Sequence, residues 1–207
     1  MYARTSTIQA DPARIDEGIA YVRDQVIPAV TAIEGCVGMS LVVERDSGRC
    51  IATAAWTTED AMRESAEKVR PYRDEAQRLL GAESSEVEVW EVAAVHRDHA
   101  MPEGACARLT FLSGDPSTAE RAIDIYKLAV LPKIQQFDGF CSASLLINRE
   151  KGRAVGTLTF ERRDQLEATR DAAAQIRERA SQEMSSTVDE VVEVDVALAH
   201  LHLPELV

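Results

Sequence analysis

The residues that could do chemistry in this chain are scattered, and their types point to binding more than to nucleophilic catalysis. Cys36, Cys50, Cys106 and Cys141 form no Cys-x-x-Cys pair, and no local cluster of cations marks any of them as a catalytic thiolate. They read as small core hydrophobes, Cys36 and Cys141 within apolar runs of strand type. Of His96, His99, His200 and His202, the last two would share one face of an extended segment, a spacing that only weakly resembles a metal site, so no metal is expected. No Ser-His-Asp set, phosphate loop or dinucleotide glycine pattern occurs. What remains is arginine and aromatic. Arg4 and Arg108, each on a first strand, could orient a phenolate or carboxylate, or make an ion pair with the abundant acids. Trp56, Met62, Ser65, Tyr72 and Trp90 could line a pocket for a flat aromatic molecule, with Ser65 supplying a hydrogen bond. The same spacing, with Val69 between, is also what any core-facing helix shows.

The elements that would position these residues come in two copies. A constant, gapless offset of 104 places Ala3-Arg4 on Ala107-Arg108, Asp11-Pro12 on Asp115-Pro116, Pro28 on Pro132 and Gly35 on Gly139. It also places Arg45-x-x-Gly48-Arg49 on Arg149-x-x-Gly152-Arg153, Trp56 on Phe160, Arg73 on Arg177 and His96 on His200. The expected units are 1–96 and 106–207, joined by a linker at 97–105 that carries Pro102 and Gly104.

Each copy reads strand, helix, strand, strand, helix, strand. After a strand at 3–9, Asp11 is a helix cap with Pro12 in the first turn, and Ile15, Ile19, Val22, Val26, Val30 and Ile33 mark one helical face. Pro28 and Pro132 should bend these helices, and Gly35 and Gly139 should end them as left-handed C′ residues. Cys36 to Glu44 and Arg49 to Trp56 make a hairpin across Asp46-Ser47-Gly48. Thr58 caps a second helix that turns Met62, Ser65, Val69, Tyr72, Ala76 and Leu79 inward, with a kink or break at Pro71 and an end at Gly81. Val87 to Val95 closes the copy. Arg45, Arg49, Arg149 and Arg153 flank exposed turns, where they would be solvated or paired with Asp46 and Glu150, and the acidic runs Glu83 to Glu91 and Asp189 to Asp195 read as outward strand faces. The hairpin strands from Cys36 and Phe140 are apolar on both faces, so each sheet must be covered twice. This predicts an α+β protein of tandem ferredoxin-like repeats: two antiparallel sheets packed face to face, with helices outside.

Composition narrows the function. The chain of 207 residues has 23 basic against 35 acidic side chains and a net charge of −12, with 45% apolar residues. Such a charge gives nucleic-acid backbones and anionic membranes little to attract them, so neither is expected as a partner. The first residues lack an apolar signal region and no stretch reaches the roughly 18 apolar residues of a membrane span, which predicts a cytoplasmic protein.

The repeated βαββαβ order, the Pro-x6-Gly spacing, the Arg-x-x-Gly-Arg hairpin and the Trp56-Thr57-Thr58-Glu59-Asp60 junction together resemble the antibiotic biosynthesis monooxygenase-like family of dimeric ferredoxin-like barrels. The resemblance covers nearly the whole chain, twice. It implies that one chain builds the barrel usually made by two, with further homodimerisation open. It also implies a choice of activities: cofactor-independent oxygenation of aromatic substrates, haem degradation, or binding without catalysis. The histidine many members carry on the second helix falls on Ser65 and Thr169 here, and the first-strand Asn of haem-degrading members is missing, the chain's one Asn being Asn148. No haem, flavin or other cofactor is therefore expected. Two readings follow. One is a small-molecule oxygenase working on an aromatic ligand in the first copy, between its second helix and its sheet, where Trp56 replaces the second copy's Phe160. The other is a non-catalytic barrel that binds a ligand or a partner.

Overall fold

The computed structural model describes residues 1–201 and 204–206. The βαββαβ order runs twice. In the first half, β1 (Tyr2–Gln9) passes through a 3-10 turn at Pro12–Arg14 into α1 (Ile15–Tyr21), a π-helical turn (Val22–Val26) and α2 (Ile27–Thr31). Then come β2 (Cys36–Glu44), β3 (Arg49–Trp56), α3 (Glu59–Leu79) and β4 (Ser85–Arg97). The second half repeats this with β5 (Cys106–Gly114), α4 (Ala119–Ile125), a π-helical turn (Tyr126–Val130) and α5 (Leu131–Ile134). It ends with β6 (Phe140–Asn148), β7 (Arg153–Phe160), α6 (Arg163–Ala168), α7 (Arg170–Met184) and β8 (Ser186–Leu201). Hydrogen-bonded neighbours follow the order β1-β3-β2-β8-β5-β7-β6-β4, which closes into an eight-stranded barrel. The α+β ferredoxin-like barrel is thus made by one chain. By compactness the chain forms one unit of Met1–Trp90 with the end of β8 from Asp195, and a second unit that starts at Glu91 in β4, runs to Val194 and takes in the described residues 204–206.

Local chemistry accounts for most boundaries. Asp11 and Asp115 accept from the backbone amides of Ala13 (3.0 Å) and Ser117 (2.9 Å), opening the first helices. Thr58 accepts from the Ala61 amide at 3.1 Å and starts α3. The helix runs on through Pro71 to Leu79. Pro28 and Pro132 sit just after the π-helical turns: proline has no N–H to donate, and the wider turn accommodates the lost bond where a simple bend was expected. Gly35 and Gly139 are left-handed (φ +81° and +71°), yet they lie beyond the helix ends in the turns leading into β2 and β6, so they are not C′ residues. The inward end of α3 is Leu80, 4% exposed, rather than Leu79, because Leu80 follows Ala76 by four residues and fills the space over Gly18. Among the described residues, no helix is long and apolar enough to cross a membrane.

Candidate functional site

In each unit an arginine on the first strand is clamped by the start of the second long helix. In the first, Arg4 is buried and donates to Ser65 Oγ at 3.0 Å and to the Met62 carbonyl. Ser65 in turn donates to the Met62 carbonyl at 2.7 Å. In the second, Arg108 donates to Thr169 Oγ1 at 3.0 Å and to the Leu166 carbonyl at 2.8 Å, and it also makes a 2.8 Å ion pair with Glu193. Arg170 reaches the same carboxylate at 2.6 Å. Burial alone would raise the Glu193 pKa, but the hydrogen bonds from Arg170 and Arg108 outweigh it and hold the group below its ordinary value. Residues 193 and 170 become Val89 and Ala66 under the offset, so the whole carboxylate cluster is absent from the first unit. There burial, helped by the charge of Arg73, lowers the pKa of Arg4.

This arrangement also answers the question of haem. The positions where the resemblance would put an iron-ligating imidazole are hydroxyls already bonded to guanidinium groups, and they do not fit a haem ligand. Among the described residues, no three His, Cys, Asp or Glu side chains come together as a metal site.

Between the sheet and the helices each unit holds a cavity, and the two differ in size. Strand alternation puts three rows of side chains on the floor. In the second unit these are Arg108–Leu158–Ala143, Thr110–Gly156–Leu145 and Leu112–Ala154–Ile147. The matching strand rows in the first are Arg4–Ala54–Met39, Ser6–Ala52–Leu41 and Ile8–Cys50–Val43, of which Met39, Ser6, Ala52, Leu41, Ile8 and Cys50 line the cavity. The second cavity offers about 1070 Å³ of empty space and the first about 560 Å³, open solvent at the mouth included in both. Smaller side chains explain the difference: Ala119 for Ile15, Ala154 for Cys50, Gly156 for Ala52, Ala173 for Val69 and Ile176 for Tyr72. Tyr126 partly offsets this where the first unit has Val22. Its ring stands about 4.0 Å from where a Cβ on Gly156 would lie, and its hydroxyl donates to the Ser144 carbonyl at 3.2 Å. Burial raises the Tyr126 pKa far above that of a free phenol, so the group stays neutral.

Of the six residues singled out for a first-copy site, only Tyr72 lines the first cavity. Arg4 and Ser65 bond each other, and Met62 supplies their carbonyl acceptor while its side chain packs in the core. Trp56 is fully buried in the same core, and among the described residues its Nε1 has no hydrogen-bond partner, Ser65 included. Trp90 Nε1 donates to Thr5 Oγ1 at 2.9 Å. The cysteines are free thiols, and burial holds Cys50 and Cys141 up at about 11. His96 bonds Glu205 (3.2 Å), and His99 bridges Asp98 (3.0 Å) and Glu161 (3.1 Å). His200 faces Met39 across the β2–β8 pairing, and His202 lies outside the described residues. Two expectations about charge change. Arg45 pairs with Asp16 (3.0 Å) rather than Asp46, and Arg149 with Glu91 on β4 (2.6 Å) and Glu120 (2.7 Å) rather than Glu150; Asp16 and Glu120 are within reach because the hairpin loop lies beside the first helix of its own unit. Glu193, in an acidic run expected to face outward, turns in to Arg108. The alternation Val192-Glu193-Val194 gave no sign of it. The pairing of Arg73 with Arg177 in the repeat is the sequence signal for the cavity wall, since each lines the cavity of its own unit.

No family model matches the chain. Two uncharacterized proteins of Mycobacterium tuberculosis H37Rv do: Rv2558 is 49% identical over 208 residues, spanning 100% of this chain and 88% of its own, and Rv2557 is 47% identical, spanning 100% and 92%. Among solved structures, an anthrone oxidase-like protein superposes with a TM-score of 0.67 at 15% identity, over 96% of this chain and 91% of its own. A ferredoxin-fold protein of Listeria monocytogenes related to antibiotic biosynthesis monooxygenases gives 0.56 at 8% identity, over 95% and 94%. A heme-degrading enzyme from Listeria monocytogenes gives 0.54 at 8%, over 95% and 99%. At these identities the structural likeness speaks for the fold.

Proposed function

The chain belongs to the family of the mycobacterial proteins Rv2558 and Rv2557, and on that premise we propose that it is a binding protein for a small, largely apolar aromatic molecule held in the second unit's cavity. The observation that carries this is the combination of a flat Gly156 and Ala154 floor, branched aliphatic walls and the Tyr126 ring, a lining that suits a planar apolar body. Oxygenase chemistry, which the fold likeness to an anthrone oxidase-like protein raises, would need a group to take the substrate's proton. The lining's acid–base groups are otherwise engaged: Tyr126 is neutral and donates to Ser144, and Asp115 caps its helix turn with its pKa lowered by the Ser117 amide. Binding without catalysis is therefore the better supported reading.

The test is a calorimetric titration of 2-naphthamide, an uncharged planar probe, into the wild type, Gly156→Leu and Ala52→Leu. Wild type and Ala52→Leu should bind saturably, while Gly156→Leu, folded by circular dichroism, should bind at least tenfold more weakly because its side chain occupies the floor. Equal affinity in wild type and Gly156→Leu, or loss in Ala52→Leu alone, would overturn the assignment.

A further inference from the structure

The second cavity's wall carries five charged side chains, and four of them are already engaged. Arg108 spends all three of its guanidinium nitrogens on Thr169, the Leu166 carbonyl and Glu193. Arg149 is held by Glu91 and Glu120, Asp115 by Ser117, and Arg153 has a partner of its own. The fifth, Arg177, projects from α7 into the cavity lining and is half-buried. Among the described residues no carboxylate or carbonyl partners it.

We infer that Arg177 is the counter-ion for a carboxylate on the ligand, so that the cavity takes a hydrophobic monocarboxylate, its apolar body over Gly156 and its carboxylate on the free guanidinium. This rests on the cavity being the ligand site. A guanidinium presents a planar fork that a carboxylate meets with two parallel hydrogen bonds, and withdrawal from water strengthens such a pair. A dianionic phosphate fits less well, because one unengaged cation would leave its second charge buried and uncompensated. Burial, with the nearby Arg108 charge adding to it, lowers the Arg177 pKa, so the surroundings already lack negative charge that an anionic ligand would supply.

The experiment compares 2-naphthoate with its uncharged isostere 2-naphthamide at pH 7, in wild type, Arg177→Met and Arg177→Lys. Wild type should prefer the carboxylate by tenfold or more. Arg177→Met should bring both probes to one affinity without weakening the amide, and Arg177→Lys should restore part of the preference, since a cation remains but the fork is lost. If wild type binds both probes equally, or if Arg177→Met keeps the preference, the counter-ion inference is wrong and the cavity reading stands. If Arg177→Met weakens both probes in parallel, the side chain serves packing and the inference again fails. If neither probe binds wild type at millimolar concentration, the cavity reading falls and takes this inference with it.

Discussion

Arg4 and Arg108 occupy the same place in two copies of one sequence pattern, yet among the described residues only Arg108 has a carboxylate partner. Both reach across from the first strand to a hydroxyl and a backbone carbonyl at the start of the second helix. That shared clamp fastens helix to sheet, and it explains why arginine stands at both positions. The Glu193 pair is an addition in the second unit, beside the cavity that is also the larger of the two. The contrast separates what the fold requires, which is present twice, from what one unit has acquired.

The most disruptive way to probe that contrast is to exchange the residues that differ. Glu193→Val gives the second unit the first unit's residue and leaves Arg108 buried with neutral partners only. It should cost about 2 kcal/mol, below the usual cost of breaking a buried pair, because Arg108 keeps Thr169 and the Leu166 carbonyl. Val89→Glu should move the first unit the other way and stabilise it, by less, since position 89 is more exposed than Glu193 and Ala66 supplies no second arginine. Urea denaturation of both variants checks this. A costless Glu193→Val would mean that the carboxylate does nothing the clamp does not, and equal and opposite effects would mean that exposure and Arg170 do not set its worth.

A smaller effect of opposite sign is expected in the cavity floor. Gly156→Ala installs the first unit's residue in the middle of β7, where alanine loses less backbone entropy than glycine, and the new Cβ meets only the Tyr126 ring at about 4.0 Å. The variant should be more stable by about 0.5–1 kcal/mol and bind planar probes more weakly. A site kept open at the expense of stability predicts that trade. A variant that gains neither stability nor loses affinity shows that Gly156 is unrelated to the cavity.

How far the sequence disclosed this depends on the kind of information. The repeat and the hairpin were legible because turn chemistry and alternation are local: Cys36–Glu44 and Arg49–Trp56 fall where the pattern around Asp46-Ser47-Gly48 puts them. The cavity was not, because its size is set by five substitutions at positions 15, 50, 52, 69 and 72 that meet only when strands and helices pack. Trp56 drew attention as the rarer aromatic, but volume filling in a core accounts for it. In the sequence, Ser65 and Thr169 stand out only for the histidine they lack. Their role became visible only with Arg4 and Arg108 lying against them.

The smallest effect is a loss of protection that is absent at neutral pH and sets in only in acid. Glu193 has its pKa lowered in the folded protein, so its contribution to stability is fully present above the pKa of an unfolded glutamate and is lost as pH falls through the lower folded value. The first unit has valine at the matching position and contributes no such term. Hydrogen exchange followed from pH 7 to pH 3 should therefore show protection falling earlier for amides around Arg108 and Leu166 than around Arg4 and Met62, once the intrinsic pH dependence of exchange is removed. Glu193→Gln should flatten that difference, since it keeps an acceptor for Arg108 but cannot titrate. If the two regions lose protection together in the wild type, or if the difference survives in Glu193→Gln, the asymmetry between the clamps has a source other than this carboxylate.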